Sequence, residues 1–483
     1  MRAERARYLE VPGLADTFDV VILGGGNGGY AAAFRASALG LSVAMVERDK
    51  VGGTCLHRGC IPTKALLHAA DLVDEFRHAG DFGIITPEPQ VDWGKVLSFK
   101  DEVVGRMYKG LAGLVRRNKI ELVEGEGRLV DGKTVAVRTA DGERRLEASR
   151  GVVLATGSYP RDLPFVKADG ERVHNSDHGL SAQDVPGSVV VVGGNYIGLE
   201  FASIYRSLGA EVDVVEMLPK IAPAEDDDIS QALEKLLAKR GIRFHTGVAV
   251  TGAEPSQRGV DVQLEKDGQS QTLSAERMFV AIGRAPNTHG MGFEEAGIKL
   301  DRGFIVTDER FRTSVDGVYA IGDAIHVPDA HWPHPQLAHV AYAEGQKVAE
   351  LLAGEEPAPV DYKNVPHVIY CQPEVAAVGL TEAKARELGL EVEVARYPFA
   401  GVARALMLGG GDGFVKTVAE KGGAVVGVHI VGARASDLIS EAMLVTSWEA
   451  FPSELGELIH PHPTLSEALG ETFLHLAGKP LHG

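Results

Sequence analysis

The sequence predicts a multi-domain α/β protein, and three observations carry that prediction. A strand, a glycine-rich turn, a helix, a second strand and an acidic residue occur in that order twice. The chain of 483 residues exceeds one ordinary core, because domains run to roughly 100–200 residues. Hydrophobic content of 45% with 24% charged residues is that of a globular protein, and no apolar run approaches the ~18 residues a membrane span needs.

The two copies are FDVVILGGGNGGYAAAFRASALGLSVAMVE and SVVVVGGNYIGLEFASIYRSLGAEVDVVE. In the first, Gly24, Gly26 and Gly29 follow a β-branched strand, and Glu47 ends the next strand 23 residues after Gly24. Glycines at these places allow a tight turn, close approach of backbone to a pyrophosphate, and close helix–strand packing. The helix N-terminus turns its dipole toward the phosphates, and the acid suits a ribose hydroxyl. In the second copy Gly193, Gly198 and Glu216 occupy the matching places, 169 residues after Gly24, Gly29 and Glu47. Asn195 stands where the middle glycine is expected; asparagine tolerates left-handed backbone angles better than other non-glycine residues, which would rescue the turn. No arginine follows Glu216 to meet a 2′-phosphate, which favours NAD over NADP. Two such units imply two dinucleotides, with a flavin between NAD and another redox centre as the simplest use.

Net charge is −18, from 49 basic and 67 acidic residues, which argues against nucleic acid and anionic lipid as partners. Residues 1 to 15 read as an extension without a secretion signal, so a cytoplasmic protein is expected. Three cysteines cannot form a disulfide framework. Two of them, Cys55 and Cys60, lie in GGTCLHRGCIPTK, just before an apolar helical stretch whose expected buried face is Ala65, Leu66, Ala69, Leu72, Val73 and Phe76. Pro62 fits a first helical turn, so Cys60 sits at a helix N-terminus, where the dipole favours thiolate. A redox pair is the favoured reading. A zinc site, wanting about four ligands when only Cys371 remains, and an inert structural disulfide are the alternatives.

GGTCLHRGCIPTK resembles the active-site segment of flavoprotein pyridine nucleotide-disulfide oxidoreductases, dihydrolipoamide dehydrogenases most closely. The resemblance continues through VLATGS (153–158), VVGGNYIGLE (191–200), AIGRAPNT (281–288), VYAIGD (318–323), YCQPEVAAVGLTE (370–382) and HPHPTLSE (460–467). It implies an FAD-binding domain over 16–159, an NAD-binding domain over 160–283, a second FAD-binding or central part over 284–360, and an α+β dimerisation domain over 361–483. FAD would be held by the first glycine turn with Glu47, Lys64, Thr156, Gly157, Asp323 and the backbone of Leu337, Ala338 and His339. NAD would be held by Gly193, Gly198, Glu216 and Gly283. Cys55 and Cys60 would carry the exchange, Lys64 would pair with Glu200, and His462 with Glu467 would act as acid and base; His460 competes for that role, but the spacing to Glu467 selects His462. The resemblance also places this histidine across a homodimer interface and implies lipoyl domains of a 2-oxoacid dehydrogenase or glycine cleavage complex as partners.

Glutathione-type reductases usually need arginines after the second acid, and mercuric reductases a C-terminal cysteine pair; this sequence has neither. A related reductase of another disulfide, or a scaffold subunit of a multienzyme complex, remains the alternative. Three features depart from the family pattern: Asn195, the pair His57 and Arg58 between the cysteines, and the loop DAHWPHPQLAH. A solvated loop is expected there rather than a metal site, and no metal is expected elsewhere.

Overall fold

A computed structural model describes residues 15–328 and 332–482. The N-terminal extension therefore lies outside the described residues except for Ala15, as do Asp329, Ala330 and His331 of the His/Pro-rich loop. The chain divides into two compact units, one of residues 1–57, 106–159 and 285–360 and one of residues 58–105, 160–284 and 361–483.

In the first unit, Asp16–Leu23 runs parallel to Val43–Glu47 on one side and to Gly142–Leu154 on the other. Glu121–Glu124 extends the sheet parallel to Val43–Glu47, Val318–Ala320 adds a parallel strand to Gly142–Leu154, and Thr134–Thr139 with Glu126–Leu129 completes it antiparallel. The central strands read as continuous valine, isoleucine and leucine because helices and loops cover both faces; Val21, Ile22, Val153 and Leu154 are fully buried. The helix Asn27–Ala38 packs on Ala338–Ala353 at glycine contacts, where a Cβ on Gly345 would meet the Gly28 carbonyl at 2.4 Å.

The second unit repeats the plan. Its parallel sheet has the order Ile242–Thr246, Glu211–Glu216, Ser188–Val192, Arg277–Val280, Val173–His174. An antiparallel meander of Ala249–Ser256, Gly259–Lys266 and Gln269–Ala275 lies between two of those strands in sequence. A separate five-stranded sheet runs His367–Ile369, Glu374–Gly379, Val425–Gly432, Phe414–Glu420, Val392–Pro398, wholly antiparallel. The helices Ala435–Ser447 and Glu467–Leu476 cover it, burying Ile439, Leu469 and Phe473. Beside this sheet Lys416, 2% exposed, meets the equally buried Asp226 at 2.8 Å and the half-buried Asp228 and Glu382 at 2.7 and 2.9 Å.

The two glycine turns share the geometry of their outer glycines. Gly24 and Gly193 both have φ of +110°, a left-handed value that favours glycine. A Cβ on Gly29 would lie 1.9 Å from the Gly24 carbonyl oxygen, and a Cβ on Gly198 the same 1.9 Å from that of Gly193. Glu47 accepts N–H bonds from Gly25 and Asp49 at 2.8 and 2.9 Å, and Glu216 accepts from Gly194 and Leu218 at 2.7 and 2.9 Å. Each acid thus clamps its own turn, a role the spacing alone did not reveal. Because the obstruction at Gly29 is backbone, Gly29→Ala is expected to cost at least about 1–3 kcal/mol, seen as a lower thermal midpoint.

The cysteine-bearing helix spans Cys60–His78, as its proline and apolar spacing imply, but its buried face differs from the expected one. Leu66, Leu67, Ala70 and Val73 are buried, whereas Leu72 and Phe76 are 40% and 53% exposed. Apolar residues nearly encircle this helix, so periodicity offered two overlapping stripes. Packing beside the helix Tyr196–Ser207, in a cluster where Leu66 and Leu67 join Leu199 and Phe201, selects one of them.

Candidate functional site

A short helix, Gly53–Arg58, carries Cys55, and Cys60 opens the next helix after Gly59. Lys64 follows one turn later. Its Nζ donates to both Glu200 oxygens at 2.8 Å, and Glu200 also accepts the Tyr370 N–H at 3.1 Å. Burial alone would lower the lysine pKa; the Glu200 charge and hydrogen bonds, aided by Cys60, hold it above its ordinary value. The ammonium also stands 4.4 Å from the Tyr370 ring centre. A fixed cation one turn after Cys60 stabilises thiolate at that sulfur, adding to the helix dipole. Between the cysteines, His57 is tied down, its Nε2 donating to the Val51 carbonyl at 3.0 Å and its ring meeting Tyr108 edge-on. Cys371 is fully buried, where desolvation pushes its thiol pKa up, as suits an inert core thiol.

In the first unit the residues expected to hold FAD form a receptive surface. The turn at Gly24–Gly26 leads into a helix N-terminus, and two buried polar atoms near it in sequence or sheet, Asn27 Nδ2 and Thr156 Oγ1, lack hydrogen-bond partners. Gly157 has φ of +70° with open space where a Cβ would go, and Asn287 bonds this turn through Gly157 and Thr156 carbonyls at 2.8 and 3.3 Å. Asp323 accepts a hydrogen bond from Ser158 at 2.5 Å. Leu337 caps the helix that Ala338 and His339 begin, so their backbone N–H groups belong to a first turn with no intrahelical acceptors. Orphaned buried donors, open glycine turns and a second helix N-terminus fit a flavin dinucleotide.

Sequence reasoning missed one element of this surface. Glu344, fully buried, accepts the Gly322 N–H at 2.7 Å and meets His334 at 2.8 Å, fixing the VYAIGD turn. The signal was present as a carboxylate inside an alanine-rich helix, and as a histidine in the loop expected to be solvated. His334 is therefore a structural anchor, its side chain 3% exposed. Among the described residues no cluster of His, Cys, Asp and Glu could hold a metal ion.

In the second unit, the middle turn position Asn195 has φ of −114°, extended rather than left-handed. The expected rescue by left-handed tolerance is therefore unnecessary. Gly26 at the equivalent place has φ of −74°, so neither copy needs glycine there for backbone reasons. Asn195 Oδ1 is buried without a partner. Asn195→Gly is accordingly expected to leave the Michaelis constant for NAD+ within about three-fold, roughly 0.6 kcal/mol; steady-state kinetics at varied NAD+ checks this. Gly283, with φ of +103°, accepts the Arg161 N–H at 3.1 Å and leaves open space at its Cα.

At the C-terminal end, His462 Nδ1 lies 2.8 Å from Glu467 Oε1, and the second carboxylate oxygen accepts the Thr464 N–H at 2.9 Å. Burial would raise the Glu467 pKa, but the Thr464 and His462 hydrogen bonds bring it below the usual value. The imidazole is therefore oriented by an ionised carboxylate, with its other nitrogen outward on a side chain 75% exposed. His460, by contrast, is paired with Glu441 at 2.8 Å and only 14% exposed. The structure thus separates the two histidines: one is packed and one is presented.

The fold and these sites define a two-dinucleotide disulfide oxidoreductase, and the comparison with known families agrees. The chain belongs to the pyridine nucleotide-disulphide oxidoreductase family, whose model matches residues 18–345, with the family's dimerisation domain matching residues 365–473. It is similar to proteins named dihydrolipoyl dehydrogenase. That of Bacillus subtilis is 43% identical, covering 97% of this chain and all of the relative. That of Thermus scotoductus is 42% identical, covering 96% of this chain and 99% of the relative. Among solved structures, LpdA from Mycobacterium tuberculosis aligns with a TM-score of 0.87 at 28% identity over 96% of this chain and all of that one. The HOCl-induced flavoprotein disulfide reductase RclA from Escherichia coli aligns with a TM-score of 0.82 at 26% identity, over 94% and 99%.

Proposed function

We propose that this protein oxidises dihydrolipoamide to lipoamide and reduces NAD+, using Cys55 and Cys60 as its exchangeable pair. The carrying observation is Cys60 at the start of a long helix with the Glu200-bound Lys64 one turn on. His462, oriented by Glu467, removes a proton from a substrate thiol, and the resulting thiolate attacks Cys55. A mixed disulfide forms there, the Cys55–Cys60 bond breaks, and Cys60 leaves as a thiolate stabilised by Lys64. The second substrate thiol, losing its proton, attacks the substrate sulfur and releases Cys55 and the oxidised product. FAD held by the first unit would supply the two-electron relay between the reduced cysteine pair and NAD+.

Asn27, Thr156, Gly157, Asp323 and the backbone from Leu337 to His339 would hold FAD with the first turn and Glu47; Gly193, Gly198, Glu216 and Gly283 would hold NAD. The high exposure of His462 supports a homodimer whose sites draw this side chain from the partner subunit, through the domain that begins near residue 361. The domain division over 16–159, 160–283, 284–360 and 361–483 accords with this reading, as does a cytoplasmic enzyme serving lipoyl domains of a 2-oxoacid dehydrogenase or glycine cleavage complex.

Specificity for NAD rests on the segment after Glu216. Its one cation, Lys220, is engaged by Asp227 and by the Glu225 carbonyl, both at 2.7 Å. A 2′-phosphate would meet the Glu216 carboxylate with no unengaged cation from this segment beside it. Catalytic efficiency with NAD+ is expected to exceed that with NADP+ by ten-fold or more, about 1.4 kcal/mol. Assay of purified protein with dihydrolipoamide and each nucleotide tests the whole reading: equal use of NADP+ would contradict the specificity, and no turnover with either would contradict the function.

A further inference from the structure

A cleft of about 480 Å³ lies in the second unit, lined among others by Arg172, His174, His178, Ser181, Asp184 and Arg277. It stands apart from the dinucleotide turn. Arg277 opens its strand opposite Val189, near the start of Ser188–Val192, whereas the Gly193 turn follows that strand's other end.

The charges around this cleft are unevenly screened. Arg277 is only 12% exposed and donates to the Asp184 carbonyl at 3.1 Å and to its carboxylate. That carboxylate is itself 67% exposed, so water screens the anion far more than the cation. Arg277 Nε is buried with no hydrogen-bond partner. Arg172 donates only to the carbonyls of Gln257 and Glu276, at 2.5 and 3.4 Å, and among the described residues meets no carboxylate. Glu171 is exposed at the rim. Two guanidinium groups, one unneutralised and one under-screened, therefore dominate the interior field.

The histidines complete the lining. His178 Nδ1 accepts the Asn175 N–H at 3.4 Å, so in the neutral ring Nε2 carries the proton and is a donor. His174, 2% exposed, donates from Nε2 to the Gly170 carbonyl at 3.1 Å, leaving a buried Nδ1 without a partner. Burial, followed by the charge of Arg277, keeps this ring below the ordinary histidine pKa. Guanidinium forks and an imidazole N–H are the donors that recognise tetrahedral oxyanions, and the volume exceeds a bare phosphate while matching a small organic ligand.

We infer that this cleft is a second, non-catalytic binding site that takes a small phosphate monoester through Arg172, Arg277 and His178. Calorimetric titration of the FAD-loaded enzyme, with saturating NAD+ to fill the dinucleotide turn and ionic strength held constant, tests this with a hexose phosphate and with inorganic phosphate. One site per chain with a dissociation constant of about 1 mM or tighter is expected for the hexose phosphate, with inorganic phosphate weaker. Arg172→Gln is expected to weaken binding at least ten-fold while lipoamide turnover is unchanged. Arg172→Lys, which keeps the charge and loses the fork, should weaken it several-fold. Absence of saturable binding, equal binding by wild type and Arg172→Gln, or binding of inorganic phosphate alone would each overturn the assignment.

Discussion

His462→Gln is expected to lower dihydrolipoamide oxidation by roughly 100-fold to 10,000-fold, the range of general acid–base contributions, while NADH-driven reduction of an artificial dye stays within a few-fold of wild type. The two reactions share the dinucleotide machinery and differ in the thiol exchange, so the variant separates one half-reaction from the other. Glutamine matches the imidazole in reach but cannot take a proton. His462 is exposed and touches its neighbours mainly through Glu467, so its loss should leave the fold intact. Parallel loss of both activities, in protein that still holds FAD, would contradict the assigned role. Glu467→Gln should show the same pattern more weakly, because the carboxylate orients the imidazole without moving the substrate proton. Its Thr464 contact also shapes the start of the final helix, so a modest fall in stability is expected with it.

Lys416→Met should produce the largest loss of stability. Removing one partner from a buried ionic cluster leaves uncompensated charge, a cost of about 3–5 kcal/mol. Asp226 is 2% exposed and would be left facing the interior without its ammonium. Burial would raise the Asp226 pKa, but the Lys416 bond, followed by the His429 charge, keeps it below the usual value; for Glu382 the Lys416 bond is the leading cause in the same direction. Carboxylates depressed in this way contribute stability above their unfolded pKa values of about 4 and lose it as pH falls through the folded ones. The deficit of Lys416→Met is therefore expected to be full near neutral pH and to shrink in acid. Denaturant midpoints of wild type and variant across that range check both points; an unchanged midpoint at neutral pH would show that the cluster is not coupled to folding.

The glycine turns were legible in the sequence because each is a short-range object. A left-handed glycine, a second glycine under its carbonyl and an acid closing the next strand are all set by a βαβ unit of about 30 residues. Long-range pairs were a different matter. Lys64 and Glu200 stand 136 positions apart, and only family resemblance connected them before the fold did. Glu344 and His334 escaped notice because a carboxylate on an alanine-rich helix ordinarily faces water, and nothing in spacing says that a loop histidine and a turn amide will converge on it. Leu72 and Phe76 are exposed although periodicity places them on the buried face, because a helix apolar on nearly all sides has no unique phase until a neighbour packs on it. At Asn195 the motif invited a backbone argument for glycine, and the φ value shows that the backbone makes no such demand.

The central claim is that Cys55 and Cys60 together receive the electron pair of a dithiol and release it to NAD+. Alkylation followed by peptide mass spectrometry tests it most directly. In the enzyme as purified under air, neither cysteine is expected to take up iodoacetamide. After one equivalent of dihydrolipoamide without oxygen, both should be labelled while buried Cys371 stays unmodified, and NAD+ added before the alkylating agent should abolish the labelling and yield NADH. Labelling of both cysteines before reduction, or a reduced pair that persists unchanged in the presence of NAD+, would contradict the account.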